Sequence, residues 1–351
     1  MACLCFSTPS FGALQSVHDP ASGAADIIHR LGLGMYAAGA LITLLVVALA
    51  LVAIFGKPRA ASTRWFIVGG GIVFPFVVLS ALLVTALLIG NALSRPVIAP
   101  VARIQVIAHQ WWWEVRYLPP RQPSAELALL LQQLCSSQPS RMTAANRQAG
   151  QDDDASNAIV LANELRIPVG HPVQIELVTA DVIHSFWVPA LGGKVDMIPG
   201  RVNRLVYQAD RAGEFRGQCA EYCGGPHGLM GLVVVAEEEA DYREWLSQQA
   251  APAVVATSPF LEQGRDVFMR ADCGSCHAIR GTPAQGNLGP DLTHVGSRRT
   301  IAAATLDNHV GTLAGWIADP QTIKPGNRMP PATGLTGIEL RALASYLASL
   351  R

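Results

Sequence analysis

The sequence predicts a multidomain membrane protein in three parts: a two-helix transmembrane hairpin, an all-β domain, and a small all-α domain. Three observations carry this reading. Residues 31–56 and 65–94 contain no charged side chain, and each stretch exceeds the roughly 20 apolar residues that cross a bilayer as a helix. Short stretches of alternating polarity, broken by turns at Pro168-Val169-Gly170, Gly192-Gly193 and Ala212-Gly213, fill residues 159–235. A Cys-Gly-Ser-Cys-His run at residues 273–277 opens a last segment that ends in an amphipathic helical pattern.

Composition agrees with these parts. Half of the 351 residues are hydrophobic, 15% are charged, and the formal net charge is zero. That balance carries no nucleic-acid signature and is what membrane segments produce. Residues 1–30 are small and polar, without the basic start and apolar core of a cleavable signal peptide, so they read as a segment on the outer face. Cys3 and Cys5 in it read as incidental thiols.

The hairpin occupies residues 31–94, with helices expected over about 31–56 and 65–93. Its loop carries Lys57, Arg59 and Arg64 and no acid, which places the loop in the cytoplasm and both termini outside. Pro75 and the Gly69-Gly70-Gly71 run are expected to kink the second helix or admit a close neighbouring helix. No Asp or Glu occurs between Asp26 and Glu114, so the hairpin offers no carboxylate for proton transfer.

Residues 95–249 read as the β-domain, with an insert at 119–154 that contains one short helix around 127–134. No function attaches to the insert, and its Cys135 reads as a spectator. His109-Gln110-Trp111-Trp112-Trp113 reads from composition as an aromatic belt with strand packing. Residues 237–249 are expected to be helical, and the Ala-, Val- and Pro-rich residues 250–257 to be a flexible linker.

The chemistry of the β-domain is concentrated in residues 218–231, Gln-Cys-Ala-Glu-Tyr-Cys-Gly-Gly-Pro-His-Gly-Leu-Met-Gly. Cys219, Cys223, His227 and Met230 are soft donors, which favour copper over magnesium or calcium. His184, at the end of an alternating apolar strand, supplies a second imidazole. A Cys219–Cys223 disulfide or a structural zinc are the competing readings, and neither uses Met230. A mononuclear blue-copper site needs one Cys, two His and a weak Met, so the extra thiolate points to a second, bridged copper.

The third part, residues 258–351, carries Cys273, Cys276 and His277 in the spacing of covalent haem c attachment. A thioredoxin-like pair would need a βαβ pattern that is missing here. Met329 is the only methionine after that motif and sits in a proline-stiffened loop, so it is the expected second axial ligand, with His294 and His309 as rivals.

The segment from Leu161 to Val235, with His184, Cys219, Glu221, Cys223, His227 and Met230 in order, resembles the copper-A domain of cytochrome c oxidase subunit II. The resemblance implies a cupredoxin-like barrel in which both Cys bridge two coppers, each His binds one, Met230 caps one and the Glu221 carbonyl caps the other. It further implies a role for the Glu221 side chain in a magnesium site shared with subunit I, and for Trp111 in accepting electrons. Gly289-Pro290-Asp291-Leu292 and the closing helix over 337–350 resemble a class I cytochrome c. Together the chain resembles subunit II of a caa3-type oxidase. Members of that family commonly have a Glu near the start of the second helix, where this sequence has Arg64-Trp65.

The resemblance implies a component of a proton-translocating cytochrome c oxidase in a bacterial inner membrane, with the redox domains on the periplasmic face. Haem c would accept electrons from a cytochrome c or bc1 complex and pass them to copper A and then to a haem of subunit I, with subunit III alongside. The oxygen-reducing centre must lie in another chain, because residues 31–94 contain no histidine. Two further readings share these motifs: an electron-accepting subunit of another terminal reductase, such as one acting on nitric oxide, and a membrane-anchored copper carrier or redox sensor.

Overall fold

The computed structural model describes residues 14–56, 63–93, 100–119, 158–254 and 256–351. The expectations for Cys3, Cys5, Lys57, Arg59 and the insert with Cys135 lie outside the described residues.

Helix α1, Gly23–Phe55, starts eight residues before the charge-free stretch that begins at residue 31. Its 33 residues make a rod of about 50 Å, longer than the ~30 Å hydrocarbon core, so its polar first turns extend outside the bilayer. Those turns contain Asp26 and Arg30, an i,i+4 pair at 2.8 Å. The Ser22 hydroxyl caps the helix by accepting from the Ala25 amide at 3.0 Å and donates to the Leu191 carbonyl at 2.8 Å. One side chain thus ends the helix and ties it to the β-domain.

The second apolar segment begins as a short helix at Thr63–Trp65, continues as a π-helical stretch at Phe66–Val73 and becomes α2 at Phe74–Leu93. Pro75 offers no N–H, which leaves the carbonyl one turn earlier without its helical donor, and the three glycines permit the wider turn. Both segments have a mean hydropathy of 2.8, and none of the described residues buries their apolar windows.

Two five-stranded sheets form the β-domain. The strands are β1 (Ala102–His109), β2 (Trp112–Leu118), β3 (Ile159–Ala162), β4 (Glu164–Pro168), β5 (Val173–Thr179), β6 (His184–Trp187), β7 (Val195–Met197), β8 (Asn203–Tyr207), β9 (Gly213–Cys219) and β10 (Gly231–Glu237). One sheet has the order β3-β2-β1-β5-β8 and the other β4-β10-β9-β6-β7, with β1–β5 and β4–β10 parallel. Ile104, Val106 and Ala108 alternate inward from β1 and meet Leu232, Val234 and Ala236 of β10 in one core. The sheets therefore close face to face as a cupredoxin-like sandwich, and each fully buried Leu or Phe in it stabilises by about 1.5–3 kcal/mol. Helix α3, Glu239–Ala250, covers one end with Tyr242 and Trp245, the latter edge-on to Tyr117 at 5.3 Å.

The last domain is helical: α4 (Pro259–Arg270), α5 (Val310–Ala318), α6 (Pro320–Ile323) and α7 (Gly337–Ser349), with a small β11 (Thr300–Ile301) and β12 (Leu306–Asp307) ribbon. Ser258 caps α4, and Thr336 with Glu339 forms a capping box on α7. α4 and α7 cross at Gly264, where an added Cβ would stand 2.1 Å from the Ala342 carbonyl oxygen. The side chains of Val267, Phe268, Leu343, Tyr346 and Leu347 fill the core behind that crossing.

The two outer domains touch. The Arg280 guanidinium donates to the carbonyls of Gln249 and Ala250, and His294 Nε2 donates to that of Ala251 at 3.0 Å, so the stretch expected to be a flexible linker is held where it leaves α3. Arg299 pairs with Glu214 at 3.0 Å and its amide donates to Glu164 at 2.7 Å. The Gly231 amide donates to the Ala303 carbonyl at 3.0 Å.

Candidate metal centre

The turn after β9 and the start of β6 bring soft donors together. Cys219 ends β9 and pairs in register with Phe186, which sets His184 at the start of β6 beside it. His184 Nδ1 lies 3.7 Å from Cys219 Sγ, the two sulfurs are 3.8 Å apart, and Cys223 Sγ lies 3.5 Å from His227 Nδ1 and 4.0 Å from Met230 Sδ. At that separation the sulfurs are unbonded, since a disulfide measures about 2.05 Å. The Glu221 carbonyl oxygen is 3.2 Å from Cys219 Sγ.

Among the described residues, the His/Cys/Asp/Glu donor atoms that all fall within 4.8 Å of one another are those of His184, Cys219 and Cys223. His227 joins through Cys223. The donors therefore form an elongated set with an imidazole at each end and two sulfurs in the middle, a shape suited to two soft ions and poorly suited to one tetrahedral zinc.

The surroundings prepare this set. The Cys223 thiol donates to Cys219 and so favours a thiolate there, against burial and with help from His184; the same contact pushes the Cys223 thiol up. Burial works against a protonated His184, but hydrogen bonds with Cys219 and Asp181 outweigh it and raise the imidazole. His184 Nε2 is 2.8 Å from Asp181 Oδ1, which fixes the tautomer that leaves Nδ1 facing the sulfurs. Asp181 also accepts from the Val182 amide at 2.8 Å and, through Oδ2, from the Gln110 amide at 2.7 Å. Under the loop, buried Trp113 donates from Nε1 to the Met230 carbonyl at 3.4 Å and stands edge-on to Phe186 at 5.5 Å.

Trp111 is half-buried beside the loop, with its indole N–H donating to the Cys223 carbonyl at 3.0 Å. Gln110 Nε2 donates to the same oxygen at 2.9 Å, and the Gln110–Trp111 peptide is cis. Gly224 makes room for this contact. Its φ of +115° is unfavourable for a side chain, and a Cβ there would come within 2.9 Å of the Trp111 ring.

In the helical domain, Cys273 and Cys276 are free thiols, and burial raises the Cys273 thiol. His277 Nδ1 donates to the Pro290 carbonyl at 2.7 Å, which leaves Nε2 for a ligand, and burial keeps the ring neutral. Gly289 packs on that ring so closely that a Cβ would lie 2.6 Å from Cε1. Buried Arg298 lies near His277, with its Nε unpartnered among the described residues. These features fit a haem seated against His277. The Met329 loop is held by Gln321, which donates to the Asn327 and Met329 carbonyls at 2.8 and 3.1 Å, and by Asn327 Oδ1, which accepts from the Met329 amide at 2.8 Å. The rival histidines are engaged elsewhere: His294 with the linker, and His309 as the side-chain cap of α5.

Sequence reasoning missed Asp181, Trp113 and Lys324. A carboxylate three residues before a candidate imidazole ligand was a usable signal for Asp181. Lys324 gave none. It is 3% exposed, burial pushes its amine down to about 7, and its Nζ donates to the Trp111 carbonyl at 2.6 Å.

Comparison with known proteins agrees with both halves. Residues 102–237 match the family described as cytochrome C oxidase subunit II, periplasmic domain, and residues 261–351 match cytochrome c. Cytochrome c oxidase subunit 2 of Alkalihalophilus pseudofirmus is 41% identical over 201 residues, 57% of this chain and 58% of that protein. Its counterpart from Bacillus sp. (strain PS3) is 36% identical over 204 residues, 55% of this chain and 57% of that protein. The aligned part thus spans a little over half the length of these relatives. Among solved structures, the periplasmic domain of subunit II of cytochrome oxidase from Bradyrhizobium japonicum is 26% identical, covering 44% of this chain and 96% of that one, with a TM-score of 0.30.

Proposed function

We propose that this chain, whose residues 102–237 match the periplasmic domain of cytochrome c oxidase subunit II and whose residues 261–351 match cytochrome c, is the electron-accepting subunit of a caa3-type haem-copper oxidase. The observation that carries the reading is the two-ended donor set, with His184 and Cys219 at one end and Cys223, His227 and Met230 at the other, beside a domain bearing Cys273, Cys276 and His277. When bound, copper A and haem c each take up and release one electron at a time. The residues named would hold them: the two thiolates between the coppers, one imidazole for each, Met230 and the Glu221 carbonyl as caps, and His277 with Met329 on the haem iron.

The chain's own contribution is rigidity. His184 lies on a sheet register, Cys219 ends a strand, and the loop to Met230 is fastened by Trp111, Gln110 and Trp113 to main-chain oxygens, so the donors keep their places when charge changes. Among the described residues, the apolar windows of both helices are left uncovered, which supports their packing against a larger catalytic subunit I in the bacterial inner membrane, with subunit III beside it. Oxygen reduction belongs to that partner, and a cytochrome c or bc1 complex is the donor to haem c. Half-buried Glu221, whose carboxylate accepts from the Tyr222 amide at 3.2 Å, is the residue for a magnesium ion shared with subunit I, and Tyr222 beside it is 75% exposed for such a contact.

The test is electron paramagnetic resonance on the full chain, matured with haem c and loaded with copper in detergent. We expect the hyperfine pattern of one electron shared equally by two copper nuclei, collapsing in Cys219→Ser. A one-nucleus pattern in the native chain, with zinc or a disulfide accounting for the remaining donors, would overturn the assignment and favour a copper carrier.

A further inference from the structure

The segment that presents Met329 also makes polar contacts with the β1–β2 turn that braces the copper loop. Lys324, at the end of α6, is buried with its ammonium on the Trp111 carbonyl at 2.6 Å, although Trp111 belongs to the other domain. Four residues on, Arg328 reaches across from the surface and donates to Gln110 Oε1 at 2.7 Å. Gln110 and Trp111 are the two residues whose side chains hold the Cys223 carbonyl. From the haem-ligand loop to a copper ligand the path is therefore Lys324, Trp111 and Cys223, each step a hydrogen bond or a covalent link.

We infer that Lys324 and Arg328 form a latch that docks the cytochrome c domain in one pose, with the Met329 loop against Trp111. The inference rests on the electron-relay reading given above. A buried ammonium is costly, and Lys324 places its donor on a main-chain oxygen of the other domain. An apolar seam could slide; a buried cation with its acceptor at one atom fixes the register. Because the ammonium regains water when the domains part, the net holding energy stays modest and the latch can open. Arg328 contributes from the exposed rim, where a charge-assisted bond adds orientation more than strength. With haem c held by His277 and Met329 and copper by the Cys219–Met230 loop, this pose would serve the transfer of a single electron from one to the other, with no bond made or broken. Lys324 and Arg328 are positioning residues for that transfer.

The experiment uses the full chain in detergent, carrying haem c and copper, and follows haem-to-copper electron equilibration after flash photoreduction of the haem, together with amide exchange in peptides spanning 105–116 and 319–329. If the rate follows the fraction of chains in the docked pose, Lys324→Met should slow equilibration by about tenfold and Arg328→Gln by about threefold. Amide exchange should rise in both peptides at once. Arg328→Lys should restore the native rate. The copper hyperfine pattern and the optical signature of the Met-ligated haem should stay native in all three, which a general loss of structure would not allow. Native rates and native exchange in both Lys324→Met and Arg328→Gln would overturn the latch, as would failure of Arg328→Lys to differ from Arg328→Gln. The two readings fail separately. If Lys324→Met frees the peptides but no equilibration occurs even in the native chain, the latch stands and the relay falls; fast equilibration with an unprotected native seam means the reverse.

Discussion

Asp181→Asn tests how the copper loop is prepared. The Asp181 carboxylate accepts from three donors: His184 Nε2 and the Val182 amide, both at 2.8 Å on Oδ1, and the Gln110 amide at 2.7 Å on Oδ2. An asparagine has one acceptor oxygen and one donor nitrogen, so either rotamer meets one of these N–H groups donor to donor. Leaving such a half-buried donor unmatched costs about 1–3 kcal/mol. Loss of an outer partner of a metal-binding imidazole typically lowers metal affinity about 10- to 100-fold, or ~1.4–2.8 kcal/mol, so the two routes give the same size of effect. The assay is competitive copper titration of the full chain against a chelator of known affinity, followed by paramagnetic resonance. We expect affinity to fall by about 10- to 100-fold, with the two coppers becoming inequivalent because only the His184 end is disturbed. Unchanged affinity and unchanged equivalence would refute the claim that Asp181 fixes the imidazole.

Two other outcomes are expected. Gly224→Ala places a methyl 2.9 Å from the Trp111 ring at a φ of +115°, and the strain plus loss of the indole bond to Cys223 should cost roughly 2–4 kcal/mol. Chemical denaturation with tryptophan fluorescence measures it, and a native-like emission with less than about 0.5 kcal/mol lost would count against the seat described for Trp111. Glu114 is buried; burial raises its carboxyl, but the hydrogen bond with His109 at 3.1 Å and the pair with Arg116 outweigh it and hold the group below 4.5. A carboxyl with a depressed folded-state pKa stabilises above its unfolded value and loses that contribution as pH falls through the folded one. Glu114→Gln should therefore lower the melting temperature at neutral pH, and the gap should close on acidification below 4.5; a pH-independent gap would refute the electrostatic account.

Much of the candidate site was legible in the residues themselves. Ligand chemistry is a property of side-chain type, and Cys219, Cys223, His227 and Met230 occupy one short loop, so their meeting required no knowledge of distant packing. Cys273, Cys276 and His277 were legible for the same reason. The apolar helices were legible because bilayer thickness sets a length that composition either reaches or does not. Their starting point was not, since α1 runs outward to Gly23 through residues whose polarity marks the end of the membrane and leaves the end of the helix open.

The sequence by itself determined the three parts, the soft donor set and the haem-attachment signature. Tertiary structure alone decided how the two redox domains meet. Arg299 and Arg328 reach side-chain oxygens of Glu214, Glu164 and Gln110, but most of the contacts that join the domains end on main-chain oxygens: Lys324 on Trp111, His294 on Ala251, Arg280 on Gln249 and Ala250, and the Gly231 amide on Ala303. A backbone carbonyl is the same group at every residue. It leaves no mark in the order of side chains, and it becomes a specific acceptor only when the fold aims it at a donor.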